Sequence, residues 1–431
     1  MSGSGGFALD RLREELSAQS GDRWEIFAKR TVSREVRATP KLREESDRIE
    51  EGYAARWEAG GRSLFASASS AALLRAGISE ATRIPAGTHD PLPPLPAGRF
   101  DGHAEPGAIA DLDQFDALAQ LLASESKGHA RLTSLTAAAG FLLERLENGA
   151  GFEGTRSRPF GYGNARAVGV REDRRMSADV VFPLEAGPVF DLSRTAQSLA
   201  DRCLIPLRGS ASPFPRGELL LDPSVSALML SATLPLFCGD EHRLLLSRKY
   251  LDRSGRFGAG GVSILDDATA ESPFDGEGVP VRRTAVLDEG VFRRRLHDLG
   301  SAARAGEEPT GNAIRGSFRF PPRPGSARIL LHSPTADSPA ELLGRVTRGI
   351  YATATCAPIR VDLENDRYSL EVEGWALQAG RAKAPVRSAS IRGRLSEFWK
   401  NLSGVGDDVR WFPLQSMTGA PTLLLPRVAF G

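Results

Sequence analysis

The chain has 431 residues, 41% of them hydrophobic and 25% charged, which is enough chain for two or three domains with full cores. Lys plus Arg number 55 against 54 Asp plus Glu, so charge gives no argument for a nucleic-acid or membrane-surface partner. No window approaches the ~18 apolar residues of a spanning helix, and the start, Met1-Ser-Gly-Ser-Gly-Gly6, is not a basic region followed by an apolar core. Three widely spaced cysteines (Cys203, Cys238, Cys356) make no disulfide framework, and the cytoplasm is the expected compartment.

In chain order, residues 7–19 place Leu9, Leu12 and Leu16 on one helical face. Trp24 to Val36 alternates as a half-buried strand does. The stretches Gly52–Trp57 and Ser63–Ser67 flank Ala59-Gly60-Gly61, a hairpin turn in which glycine supplies positive φ. A helix over Ser70–Ala76 closes a first unit, residues 1–84. Ile84 to Pro106 holds six prolines and reads as an extended connector, placed at 85–110. A central unit, 111–210, follows. It comprises a helix over Asp111–Ser124, strands at Arg131–Leu135, Gly140–Leu146, Thr155–Val170 and Ser177–Leu184, a turn at Asn148-Gly149, and a helix from Asp191 to Cys203.

From 211 to 431 the chain is rich in strands. Glu218–Leu221 is one, and Asp222-Pro223 after it reads as a helix start, with the acid at the N-cap and proline just inside. Val225, Leu228, Met229 and Ala232 fall at helical spacing, and Pro235 ends the run. Further strands are expected at His242–Ser247, Gly261–Leu265, Arg282–Leu287, Gly290–Asp298, Ser326–Leu331, Tyr368–Leu377, Ala389–Arg392 and Pro421–Phe430. Helices are expected at Pro339–Arg348 and Ser396–Leu402.

Four stretches stand in a suggestive order: the Asp222–Asp240 helix and its exit; Phe274-Asp-Gly-Glu-Gly-Val-Pro280; Pro309-Thr-Gly-Asn312 with Arg315; and Glu373-Gly374 through Gly380 to Pro385-Val386. Together they resemble the C-terminal domain of the TldD/PmbA metallopeptidase family, also described as modulators of DNA gyrase. The resemblance implies an α+β fold: a two-part α/β N-terminal half followed by a β-rich C-terminal domain. In that family the helix beginning here at Asp222-Pro223 carries His-Glu-x-x-x-His, two imidazoles for zinc and a glutamate for the metal-bound water. The corresponding positions here fall near Leu230, Ser231 and Pro235, and no histidine lies between His129 and His242. The segment Asp408–Met417, where catalytic members can supply a further cysteine ligand, has none. The resemblance therefore points to the PmbA (TldE) branch, a non-catalytic subunit that holds no cofactor of its own. It implies a TldD-type zinc-bearing homologue as partner in a heterodimer or higher hetero-oligomer, and unfolded peptides as substrates, with no nucleic acid and no membrane.

Other sites weigh less. Cys238 and His242 have the spacing of two ligands on one helical face, but Gly239-Asp240 between them favours a turn. Asp275 and Glu277 could form an acid/base pair; the flanking Gly276, Gly278 and Pro280 favour a tight turn whose acids accept backbone or arginine hydrogen bonds. Asn312 and Arg315 read as bracing a loop or facing a partner. Ser231 lacks a Gly-x-Ser-x-Gly elbow and is expected to bond back to its own turn.

Overall fold

The computed structural model describes residues 7, 9–82, 91–103, 112–183, 191–240 and 255–431. Strands dominate and helices punctuate them, an α+β arrangement. The expected strand at His242–Ser247 lies outside the described residues.

The N-terminal half is one sheet, antiparallel except for its edge strand β4, carrying two helical layers. Its strands are β1 (Trp24–Thr39), β2 (Leu42–Ala59), β3 (Arg62–Ala68), β4 (Gly98–His103), β5 (Ala130–Asn148), β6 (Phe152–Arg171) and β7 (Arg174–Pro183). They lie in the order β3-β2-β1-β5-β6-β4, with β7 also on β6. Because β1 pairs with both β2 and β5, the stretches 1–84 and 111–210 share a single sheet. They keep separate cores. Helices α1 (Asp10–Ser20) and α2 (Ala71–Ala81) bury Leu12, Leu16, Leu74 and Ile78 against Trp24, Ile26 and Trp57. Helices α3 (Phe115–Glu125) and α4 (Leu192–Arg208) bury Leu118, Leu122, Leu199 and Cys203 against Val36, Leu135, Ala137 and Ala165.

Several sequence expectations change here. Arg131–Leu135 and Gly140–Leu146 are one continuous strand, because the small residues between them fit the pleat without interrupting it. The α4 helix runs past Cys203 through Pro206 to Arg208, and α2 extends to Ala81. The first half of β2, from Leu42 to Glu50, is exposed throughout and follows the ladder of β1 instead of burying a face. Part of the proline-rich connector, Gly98–His103, is ordered as β4, parallel to the start of β6.

In the C-terminal half one sheet contains β8 (Ser210–Ala211) and β9 (Arg216–Leu221), and a second begins with β10 (Ser263–Asp266), β11 (Thr284–Asp288) and β12 (Val291–Phe292). Then come β13 (Ala313–Ile314), β14 (Arg323–Pro324), β15 (Arg328–His332), β16 (Arg348–Thr355), β17 (Arg360–Asp362), β18 (Arg367–Gln378) and β19 (Arg381–Gly393). The last four are β20 (Gly404–Val405), β21 (Arg410–Pro413), β22 (Met417–Ala420) and β23 (Leu423–Ala429). The larger sheet has the order β20-β23-β9-β16-β18-β19-β8 with β17 on β18; the smaller is β12-β11-β10-β15-β22-β21. The expected strand Gly290–Asp298 shrinks to Val291–Phe292, since the rest turns away to pair with the helix exit below. The strand β16 has no counterpart among the expected elements. Helix Pro339–Arg348 stops at Arg345, where β16 begins three residues later.

Between these two sheets lies α5 (Pro223–Thr233). Asp222 caps it, its carboxylate accepting from Ser224 N at 2.9 Å, and Pro223 takes the first helical position. The expected one-sided stripe is wrong: Leu228 and Ala232 are only partly buried, whereas Ser226, Ala227, Leu230, Ser231 and Thr233 are buried. A helix buried on nearly every side is what two flanking sheets require.

Candidate functional site

The N-cap of α5 is a polar hub. Besides Ser224, Asp222 accepts from the Tyr351 hydroxyl at 3.1 Å and from the Arg410 guanidinium. Strands β16 and β21 are thereby pinned to the start of the helix. At its other end the chain passes through a 3-10 turn, Leu234–Phe237, and Cys238 bridges to Leu296. The Cys238 thiol is buried and donates to Leu234 O at 3.5 Å; His242, its proposed co-ligand, lies outside the described residues. Gly239 presses on the ring of His297, so closely that a Cβ there would stand 2.1 Å from Nδ1.

Burial lowers the His297 pKa; Nδ1 meets Ser301 Oγ at 3.1 Å and Nε2 faces Glu307 Oε2 at 3.4 Å. Sequence reasoning did not single out His297. It lies 55 residues beyond His242 with no second ligand type at metal spacing beside it. Its neighbour Asp298 caps α6 (Leu299–Ala305) in a capping box with Ser301.

The first backbone N–H of α6, Leu299 N, donates at 2.7 Å to Glu277, and here the seam from α5 meets the loop 274–280. Glu277 is wholly buried, and its other oxygen accepts from Arg56 on β2 at 2.6 Å. Arg56 also reaches Glu25 on β1 at 3.1 Å, and Glu25 pairs in turn with Arg315, whose Nε donates to Gly276 O at 2.7 Å. The result is an alternating chain, Glu277–Arg56–Glu25–Arg315, with side-chain exposures of 0%, 11%, 1% and 1%. Burial pushes the Glu277 pKa up while Arg56 opposes it. The Arg315 guanidinium also lies 4.7 Å over the Phe27 ring.

Asp275 turns inward to the loop itself. Its oxygens accept from Glu277 N at 2.8 Å, Val279 N at 3.0 Å and Ala313 N at 2.9 Å. Burial, reinforced by the Glu277 charge, pushes its pKa up to about 7. Gly278 has φ 85° and lies against the Phe152 ring, two reasons for glycine at that position. Asn312 donates to Asp266 at 2.9 Å; burial raises Asp266 to about 6.

Phe27, Phe152, Phe274 and Phe318 fill the space around these charges. The residues Asp275, Glu277, Gly278, Asn312 and Arg315 thus converge where the N-terminal sheet meets the C-terminal domain. Every oxygen of Asp275 and Glu277 is already engaged and sealed from water, so the pair presents no free base to a substrate. Glu25 and Arg56, which complete the chain, lie 290 and 221 residues from their partners and carry no local signal.

Comparison with known proteins bears on this geometry. The profile described as the PmbA/TldA metallopeptidase C-terminal domain matches residues 216–431, which contain α5, the 274–280 loop and Asn312. The chain belongs to the PmbA/TldD family. A metalloprotease from Methanothermobacter thermautotrophicus is 26% identical over 234 residues, covering 51% of this chain and 49% of that protein. The chain therefore spans about half the length of that curated relative.

Two solved structures share the family fold over nearly the whole chain. The crystal structure of TldE from Thermococcus kodakarensis aligns with TM-score 0.83 at 16% identity, covering 98% of this chain and 99% of that one. A candidate modulator of a DNA gyrase from Thermotoga maritima aligns with TM-score 0.76 at 16% identity, covering 98% and 100%. At these identities the likeness is one of fold.

The family name implies a metal, and α5 can be tested for it. Leu230 is sunk in the core at 0% exposure and has no donor atom. Pro235 offers no donor and lies beyond α5, in the 3-10 turn Leu234–Phe237. Ser231 brings only a hydroxyl, a poor zinc ligand beside imidazole, thiolate or carboxylate. It makes no side-chain hydrogen bond among the described residues, contrary to the expected bond to its own turn; Thr233 makes that bond instead, to Met229 O at 2.8 Å. No group of three or more His, Cys, Asp or Glu among the described residues is placed to hold a metal ion. The residues of this helix do not fit zinc. Among the described residues no helix is long and apolar enough to cross a membrane.

Proposed function

We propose that this chain is the non-catalytic, TldE/PmbA-like subunit of a TldD/TldE-type metallopeptidase complex that acts on unfolded peptides in the cytoplasm. In this reading the zinc belongs to a TldD-type homologue, and this chain contributes wall, interface and positioning. What supports this reading is α5 and its exit: the family's fold is retained around a helix and 3-10 turn in which Leu230, Ser231 and Pro235, the residues nearest the positions the family resemblance gives to the metal motif, offer no imidazole, thiolate or carboxylate. A fold kept with the ligands replaced is expected when an assembly needs the shape but not the second metal.

Such a subunit can be required without doing chemistry. A peptide cleaved at a zinc site must be held extended, and pairing it to a sheet edge supplies backbone bonds without demanding a side-chain sequence. Enclosure and positioning of a reacting group contribute up to several powers of ten in rate.

The test is co-expression with a homologue bearing His-Glu-x-x-x-His, followed by co-purification, elemental analysis and assay on an unstructured peptide. The expected result is a stable complex whose zinc resides in the homologue. A chain that binds peptides but never co-purifies with such a homologue would instead be a stand-alone peptide-binding or scaffold protein.

A further inference from the structure

One pocket lies away from everything described so far. It opens where α4 ends and the chain enters the C-terminal domain, and its volume is about 310 Å³. Its walls are Val170 on β6 and Leu204 on α4, both apolar, with His129, Arg171 and Arg208 around them. These come from three separate places. His129 follows the left-handed turn Lys127-Gly128 and leads into β5, with its carbonyl accepting from Val170 N at 2.8 Å. Arg171 is the last residue of β6 and Arg208 the last of α4.

Two features of this surface pocket favour an anion. First, the chain pairs many of its arginines, yet the side chains of His129, Arg171 and Arg208 have no ion pair or hydrogen bond among the described residues. No carboxylate lines the pocket among those residues either. Second, the α4 C-terminus, whose carbonyls would repel an anion, is already covered: Arg174 donates to Leu207 O at 3.1 Å and Pro206 O at 3.3 Å.

Three hydrogen-bond donors with no partner among the described residues, two of them permanent cations, therefore stand at the exposed rim of a recess whose apolar part is Val170 and Leu204. Guanidinium groups match a carboxylate in shape and charge. A volume near the bottom of the ~300–1,000 Å³ range of ligand pockets suits one small group.

We propose that this pocket binds an apolar carboxylate: the C-terminal residue of a peptide, its aliphatic side chain against Val170 and Leu204 and its carboxylate between Arg171 and Arg208, with His129 as a further donor. The assignment of a peptide end rests on the function proposed above. A free branched-chain carboxylic acid shares the same chemistry.

Saturation-transfer NMR on the full chain tests this without partner or zinc, so its failure is separate from failure of the complex. The probe is N-acetyl-leucine, with N-acetyl-leucine amide, inorganic phosphate, acetyl-Ala-Ala-Leu and 4-methylpentanoate as competitors. Expected are saturable binding, at least tenfold weaker binding to the R171Q/R208Q variant, and no competition by the amide. Both arginines are exposed and have no partner among the described residues, so the variant should keep the wild-type melting curve.

Displacement by the tripeptide at lower concentration than by 4-methylpentanoate supports the peptide end; the reverse order overturns it in favour of a free acid. Binding unchanged in the double variant, equal competition by the amide, or displacement by phosphate as effective as by N-acetyl-leucine would overturn the site.

Discussion

Replacing Glu277 with Gln tests whether the buried charge chain holds the two halves together. In the native protein two guanidinium groups, Arg56 and Arg315, are matched by two carboxylates, Glu25 and Glu277, all nearly closed to water. Glutamine keeps an acceptor for Leu299 N but removes one negative charge, leaving two cations to share Glu25. Breaking a buried pair from one side costs about 3–5 kcal/mol, because the remaining charge cannot be hydrated. That is a large part of the ~5–15 kcal/mol that holds a folded protein together. Asp179→Asn is the control: its pair with Arg166 has the same chemistry at 2.8 Å but is 58% and 44% exposed, so solvent screens it and its loss should leave the unfolding midpoint nearly unchanged. Removing the stranded cation should restore part of the loss, so the Arg56→Gln/Glu277→Gln double variant should be less destabilised than the sum of the singles. Urea unfolding followed by tryptophan fluorescence reads this, since Trp57, next to Arg56, is fully buried. An effect of Glu277→Gln as small as that of Asp179→Asn, with additive singles, would refute the reasoning.

Stability should also depend on pH through carboxylates whose pKa values burial has raised. These are Asp201 and Asp266 to about 6, and Asp275 and Glu373 to about 7. The folded state binds more protons than the unfolded state between about pH 4 and 7, so this contribution is full below pH 4 and is lost as pH rises through 6–7. His297 and His332, lowered by burial, act in the opposite sense as pH falls below about 6.5. Glu373→Gln isolates one group: it should gain stability relative to wild type between pH 5 and 8, and a difference independent of pH would contradict it. Leu230→Ala should cost about 2–5 kcal/mol in urea titration through the cavity it opens, whereas Ser231→Ala should be nearly neutral. Activity tests of α5 and its exit should therefore use Ser231 and Pro235 and leave Leu230 in place. Gly278→Ala should lower the melting temperature, because it combines φ 85° with a Cβ 3.0 Å from the Phe152 ring; an unchanged melt would contradict that.

Local chemistry made part of this legible in the sequence. Asp222-Pro223 announced α5, Gly60-Gly61 announced the β2–β3 turn, and Leu9, Leu12 and Leu16 announced α1, each because a capping, turn or periodic requirement acts within a few residues. Where burial comes from two sides or from none, periodicity fails. The buried faces of α5 spread beyond Val225, Leu228, Met229 and Ala232 because sheets flank it, and Leu42–Glu50 forms a strand through its ladder with β1 alone. The 274–280 loop was visible by its glycines and acids, but not the partners of Glu277. Arg56 and Glu25 become its neighbours only through a sheet assembled from distant segments.

The central claim, that the fold is kept here without its own zinc chemistry, is tested most directly by reconstitution. The chain alone, a homologue with His-Glu-x-x-x-His alone, and the two together are incubated with an unstructured peptide and with a folded protein, and cleavage is followed by mass spectrometry. The account predicts no cleavage by this chain alone, degradation of the peptide and sparing of the folded protein by the pair, and retention of that activity when Ser231 and Pro235 are replaced with alanine. Cleavage by the isolated chain, or its loss in an S231A/P235A complex that still assembles, would contradict it.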